Sequence, residues 1–80
     1  MKADTSLINR ITVNAKVMAG KPTVRGTRVT VELILTALAA GLSFEMIIEE
    51  YVIVEKEDIQ ACLLYASQLV KEETIHEIAA

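Results

Sequence analysis

From Thr30 onward the apolar positions follow a helical period. Val31, Ile34, Leu35 and Leu38 fall at i, i+3, i+4 and i+7, one face of a first helix over residues 30–40. Thr30 is placed to cap its start, and Gly41 to end it in a left-handed conformation. Phe44, Ile47, Ile48 and Tyr51 repeat the spacing over 43–51, behind Ser43 as cap and Glu45 in the first turn. After the apolar connector Val52-Ile53-Val54, a third helix is predicted over 55–71, with Ile59, Cys62, Leu63, Ala66 and Leu69 or Val70 on its inner face. Before Thr30 the pattern differs. Residues 1–9 are polar and patternless, a flexible N-terminus. Arg10-Ile11-Thr12-Val13 alternates as a short strand does. Gly20, Pro22 and Gly26 exclude a helix between Val17 and Val29. Thr23-Val24 and Arg28-Val29 are placed to pair as a tight hairpin, with Gly26 supplying the positive φ of its turn. The expected architecture is mostly α: one domain over 10–71, with a β arm or hairpin over 10–29 ahead of three closely packed helices. Residues 72–80 form a tail in which a helical continuation is open.

Size sharpens this picture. Eighty residues make one small core, and domains of this size usually need a staple. One cysteine, Cys62, allows no internal disulfide and no cysteine-based zinc site; one histidine, His76, organises no metal alone. No metal or cofactor is expected. With 52% hydrophobic residues and a mean hydropathy of +0.40, the remaining staple is a second copy of the chain, a homo-oligomer and most simply a dimer. The uncharged run Leu33–Phe44, twelve residues, is too short to span a bilayer, so no membrane is expected. The opening MKADTSLINR has no apolar signal segment, which together with a lone thiol points to the cytoplasm. The absence of Trp and a single Phe argue against a base-stacking surface.

The net charge of −3 conceals an asymmetry. Residues 1–28 carry Lys2, Arg10, Lys16, Lys21, Arg25 and Arg28 against Asp4, a net +5, whereas residues 29–80 carry ten acids against Lys56 and Lys71, a net −8. The segment from Gly20 to Arg28 is not a phosphate loop, because Pro22 follows Lys21 where a backbone N–H is needed. It suits a basic hairpin for a nucleic-acid backbone or an acidic partner, with Arg10, Lys16, Lys21, Arg25 and Arg28 as candidate contacts. The competing expectation is that these cations pair with the chain's own acidic helices. The helices fit a helix-turn-helix in two registers, but either reading helix carries acids (Glu45, Glu49 and Glu50, or Glu57 and Asp58) that oppose phosphate binding. Glu45, Glu57 and Asp58 sit in first turns, which the helix dipole favours. Glu49 and Glu50 do not, and Arg25 or Arg28 is the candidate that compensates them. No nucleophile, metal set or partnered histidine accompanies the acids, so no catalytic residues are expected and the chain does not look like an enzyme. Cys62 is expected in the core, Met18 and Met46 as gap fillers, Tyr51 and Tyr65 at the core's rim, and His76 in solvent.

At Gly20-Lys21-Pro22 … Arg25-Gly26-Thr27-Arg28-Val29, then Ala40-Gly41-Leu42-Ser43, Glu50-Tyr51 and Glu57-Asp58-Ile59 … Ala61-Cys62-Leu63 … Tyr65-Ala66, the chain resembles the bacterial and archaeal domain-of-unknown-function family 433 over about residues 10–67. The resemblance implies a homeodomain-like helix-turn-helix bundle and an antitoxin of a type II toxin–antitoxin pair. Its partners would be a PIN-like ribonuclease toxin and operator DNA. It implies a shared role, in part structural, for Gly20, Lys21, Pro22, Gly26, Thr27 and Arg28, with Gly41 and Ser43 marking the junction between the first two helices. The chain departs from the pattern at Asn14-Ala15, where Asp-Pro is common, and at Thr30 and Val52, each in place of a frequent Pro. The alternative function is a protein-interaction or oligomerisation module that never touches DNA, with the basic arm of one protomer docked on the acidic body of another.

Overall fold

The computed structural model describes residues 5–72. Residues 1–4 and the tail 73–80, with Lys2, Asp4 and His76, lie outside the described residues. The chain is mostly helical: a two-stranded antiparallel arm precedes three helices. The arm pairs β1 (Ile11–Thr12) with β2 (Thr23–Val24), Ile11 opposite Val24 and Thr12 opposite Thr23. The helices are α1 (Val31–Ala39), α2 (Phe44–Glu50) and α3 (Lys56–Glu72).

Two expectations for the N-terminal half are corrected. Thr5–Arg10 is not patternless but a 3-10 helix packed against α3. The hairpin of Thr23-Val24 forms one residue further along than Arg28-Val29, with Thr23 bridged antiparallel to Thr30 and Val24 bonded to Val29, and β2 pairs in addition with β1 on its other edge. The local turn is present. Thr27 N–H donates to Val24 O at 3.0 Å, and Val24 N–H donates to Val29 O at 2.9 Å. Gly26, with φ 81°, stands third in that turn, where a type II turn demands positive φ. Thr27 locks it: its hydroxyl donates to Val24 O at 2.8 Å and accepts from Val29 N–H at 2.9 Å. A second left-handed segment precedes the motif. Met18 (φ 50°), Ala19 (φ 56°) and Gly20 (φ 84°) are consecutive, which costs about 1–2 kcal/mol at each residue that carries a Cβ.

The helix ends follow their caps. Thr30 Oγ1 accepts from Leu33 N–H at 3.0 Å, and the N–H of Val31 donates to Pro22 O at 2.9 Å, so the rigid Pro22 turn satisfies an otherwise orphan donor of α1. At the other end Gly41 N–H donates to Leu38 O and Leu42 N–H to Ala37 O. That is a Schellman closure, and the φ of 97° at Gly41 makes it possible. Ser43 Oγ accepts from Met46 N–H at 3.1 Å to start α2. The core gathers Val24, Val29, Val31, Ile34, Ile47, Val54, Ile59 and Cys62, with Ile11, Leu35, Leu38, Phe44, Ile48, Tyr51 and Tyr65 partly buried around it. Both helical faces expected for α1 and α2 are therefore the observed ones. The inner face of α3 ends sooner. Leu69 and Val70 are exposed, because α3 has 17 residues and its neighbours nine and seven, so that at about 1.5 Å per residue its last turns run past the described residues that cover the rest. Leu63 is exposed for another reason: it lies off the covered face, between buried Cys62 and partly buried Tyr65 and Ala66. Met18 and Met46 are exposed rather than filling gaps. Among the described residues no helix is long and apolar enough to cross a membrane.

Candidate binding groove on the basic arm

The five cations singled out from the sequence separate into three environments. Arg10, closing the first 3-10 helix, is spent on the fold. Its Nη1 donates to Asp58 Oδ1 at 2.9 Å and to Glu55 Oε1 at 3.0 Å. Asp58 is buried, and its second oxygen, Oδ2, accepts from the N–H of Glu55 at 2.8 Å. The third residue of α3 thus caps the backbone of the residue before the helix, half of a capping box, while neutralising Arg10. The two carboxylates raise the Arg10 pKa further, so its charge is permanent. Arg10, a candidate contact by sequence, thus already serves the fold. Lys21 pairs with Glu32 at 3.2 Å, both side chains more than half exposed, a contact that solvent screens heavily. Arg25, Arg28 and Lys16 make no ion pair among the described residues, and no ion pair joins Arg25 or Arg28 to Glu49 or Glu50.

Arg25 and Arg28 are brought together. They flank Gly26-Thr27, and the Thr27-locked turn holds both outward and exposed. The Arg25 N–H donates to Arg10 O at 2.7 Å, tying this loop to the arm. Both line a groove of about 720 Å³ with Thr12, Asn14, Val17, Thr23, Thr27 and Ile53. Its polar lining is largely used internally. Thr27 bonds within the turn, Thr23 Oγ1 donates to Thr12 O at 3.5 Å, and Asn14 Oδ1 accepts from Lys16 N–H at 2.9 Å. The two guanidiniums are its charged groups, against a wall made by Val17 and an Ile53 that is 63% exposed. Exposed Val13 and Val52 adjoin these lining residues in sequence. Arg25 also faces a smaller cleft of about 340 Å³ with Ser6, Arg10 and Asp58.

Lys16 and Lys21 line neither recess. Gly20, Pro22, Gly26, Thr27, Gly41 and Ser43 act as turn and cap residues, and of these only Gly26 and Thr27 touch the groove. Sequence reasoning missed Asn14, Val17 and Ile53 as lining residues. The usable signal for Ile53 was a connector with three apolar residues, of which only Val54 enters the core.

Elsewhere the chemistry is quiet. Cys62 is fully buried, and burial, with the nearby charge of Asp58, pushes its thiol up to about 12. Among the described residues no group of three or more His, Cys, Asp or Glu is placed to hold a metal ion. Glu45, Glu49, Glu50 and Glu57 are all exposed, so the outer surfaces of α2 and of the α3 start are acidic. No curated protein and no solved structure matches the chain. Residues 11–66 match the family described as Protein of unknown function (DUF433); the match spans the arm, the groove and most of the helical body, and the chain belongs to that family.

Proposed function

We propose that this chain is a non-catalytic antitoxin whose basic loop engages a PIN-like ribonuclease toxin, with operator DNA as a second ligand of the same arm in a cytoplasmic homodimer. The observation that carries the reading is the pair Arg25 and Arg28, held side by side on a rigid turn without an ion-pair partner among the described residues. A ribonuclease that holds Mg²⁺ with clustered carboxylates offers the complement, since a guanidinium binds a carboxylate through two parallel hydrogen bonds and competes with the cation. The acidic outer faces of α2 and α3 oppose a phosphate contact by a reading helix and so support one by the arm. The buried thiol at about 12 supplies no nucleophile at neutral pH. Co-expression with the neighbouring open reading frame tests the reading. Rescue of growth and co-purification are expected from the wild type and not from R25A/R28A; no rescue and no co-purification by the wild type would sink it.

A second reading, an interaction or oligomerisation module that never contacts DNA, draws support from Ile53 in the groove wall and the exposed Val52 beside it, since an apolar wall suits a protein partner better than a phosphodiester chain. Fluorescence anisotropy on upstream and scrambled duplexes at two salt concentrations separates the two. Preferential binding that falls steeply with salt favours DNA as a ligand, and equal, weak binding favours the module.

A further inference from the structure

Resting on the reading of Arg25 and Arg28 as the contact residues, we propose what they meet in the free protein: Glu49 and Glu50 of a second copy of this chain, in a two-fold pair centred on Val52-Ile53. The two glutamates end α2, and no basic residue stands in that last turn, where the helix dipole opposes a carboxylate. Both are exposed, and among the described residues neither has an ion-pair partner. Arg25 and Arg28 are exposed and likewise unpaired. The chain thus carries a pair of cations and a pair of anions that its own fold does not join. A short apolar patch connects them. Ile53 stands three residues past Glu50 and forms a wall of the arginine groove, and Val52 beside it is 83% exposed.

The order of these groups selects the occupant. From the groove to the end of α2 the surface runs cationic, apolar, anionic. A two-fold axis through the apolar centre reverses that order in the second copy. Each copy's arginines then face the other's glutamates, and Ile53 faces Ile53. Such a contact is isologous: one patch serves both copies, and every charge contact is made twice. Guanidinium and carboxylate pair through two parallel hydrogen bonds, and the charges surround an apolar middle, as the polar rim of an interface does. A nucleic-acid strand satisfies the arginines but is repelled by Glu49 and Glu50 and leaves Val52 and Ile53 in water. A small domain of this size gains the staple its core lacks. The pairing also regulates the groove, because a partner reaches Arg25 and Arg28 only by displacing the second copy's glutamates.

Sedimentation velocity of the full chain tests this in the wild type, R25E/R28E, E49R/E50R and V52S/I53S, and in an equimolar mixture of the two charge variants. The wild type is expected to form a dimer that weakens as salt rises and does not grow further with concentration. Each charge variant alone sets like charges face to face and is expected to associate about tenfold more weakly or worse. V52S/I53S, which strips the apolar centre, is expected to weaken the pair by about tenfold as well. In the mixture every cross-contact is again opposite in sign, so dimers are expected to return, which an unfolded variant could not produce. A wild type that is monomeric at about 100 μM, association untouched by E49R/E50R, or a mixture that pairs no better than its components overturns the proposal. So does growth into species larger than a dimer, the mark of a head-to-tail contact. Association lost only in L69S/V70S also overturns it, by placing the contact on the exposed end of α3. The groove reading is judged separately, by co-purification with the product of the neighbouring open reading frame. Loss in R25E/R28E with retention in E49R/E50R upholds that reading whether or not the pair forms, and retention in both sinks it even if the pair stands.

Discussion

Arg10 and Arg25 belong to the same arm and are linked by a backbone hydrogen bond, yet they end in opposite conditions. Arg10 meets a buried aspartate that also caps a helix, so its charge is consumed in holding the 3-10 helix and α3 together. Arg25 and its neighbour Arg28 sit on a turn whose own hydrogen bonds are complete without them. The difference teaches where function resides in a small domain. The charge that the fold has not used is the charge available to a partner, and composition alone does not distinguish the two kinds.

Five changes probe the molecule around that contrast, from the largest expected effect to the smallest. Asp58→Ala removes the acceptor of the Glu55 N–H and leaves Arg10 only the exposed Glu55 as partner, and a loss of about 2 kcal/mol is expected by urea denaturation. If its stability matches the wild type, the Arg10 cluster is not structural. Asp58→Asn keeps the shape but removes the charge that helps hold the Cys62 thiol protonated. Faster alkylation of Cys62 at alkaline pH is expected in that variant, and an unchanged rate would contradict the electrostatic link. Because the folded thiol titrates near 12 and an unfolded one near about 8.5, the unfolded chain binds fewer protons between those values. The Cys62 contribution to stability therefore falls as pH rises through that window. Ala19→Gly relieves a left-handed residue that carries a Cβ, and a gain of about 0.5–1 kcal/mol is expected in thermal denaturation. A loss instead would mean that the turn is held by contacts of the Ala19 methyl. R25A/R28A is expected to leave stability within about 0.5 kcal/mol of the wild type, as is Lys21→Ala, which removes only an exposed ion pair. A large loss in the arginine double variant would move those residues to the structural side of the comparison.

What the sequence discloses here is local. Thr30, Ser43 and Gly41 announce helix ends because capping depends on residues three or four positions apart, and all three perform the predicted role. Gly26 announces its turn for the same reason. The partner of β2 was not legible, since alternation marks Ile11-Thr12 as a strand without naming what it pairs with. The Arg10–Asp58 contact spans 48 residues, and no short-range pattern encodes it. Asp58 showed only the first-turn acid that the helix dipole favours, which hid its second role. In α3 the period placed Ile59 and Cys62 correctly but not Leu63, and it did not give the covered length, because that depends on how far α1 and α2 extend. The groove was half visible: Arg25 and Arg28 follow from charge patterning, whereas Asn14, Val17 and Ile53 join them only through the fold.

The central proposal is that Arg25 and Arg28, rather than the ion-paired Lys21, meet the partner. Growth of cells co-expressing the neighbouring open reading frame with wild type, Lys21→Ala or R25A/R28A, each at matched soluble level and matched circular dichroism, tests it most directly. The account predicts normal growth with wild type and Lys21→Ala, and arrest with R25A/R28A. Growth restored equally by all three would contradict it and place the partner surface away from the basic groove.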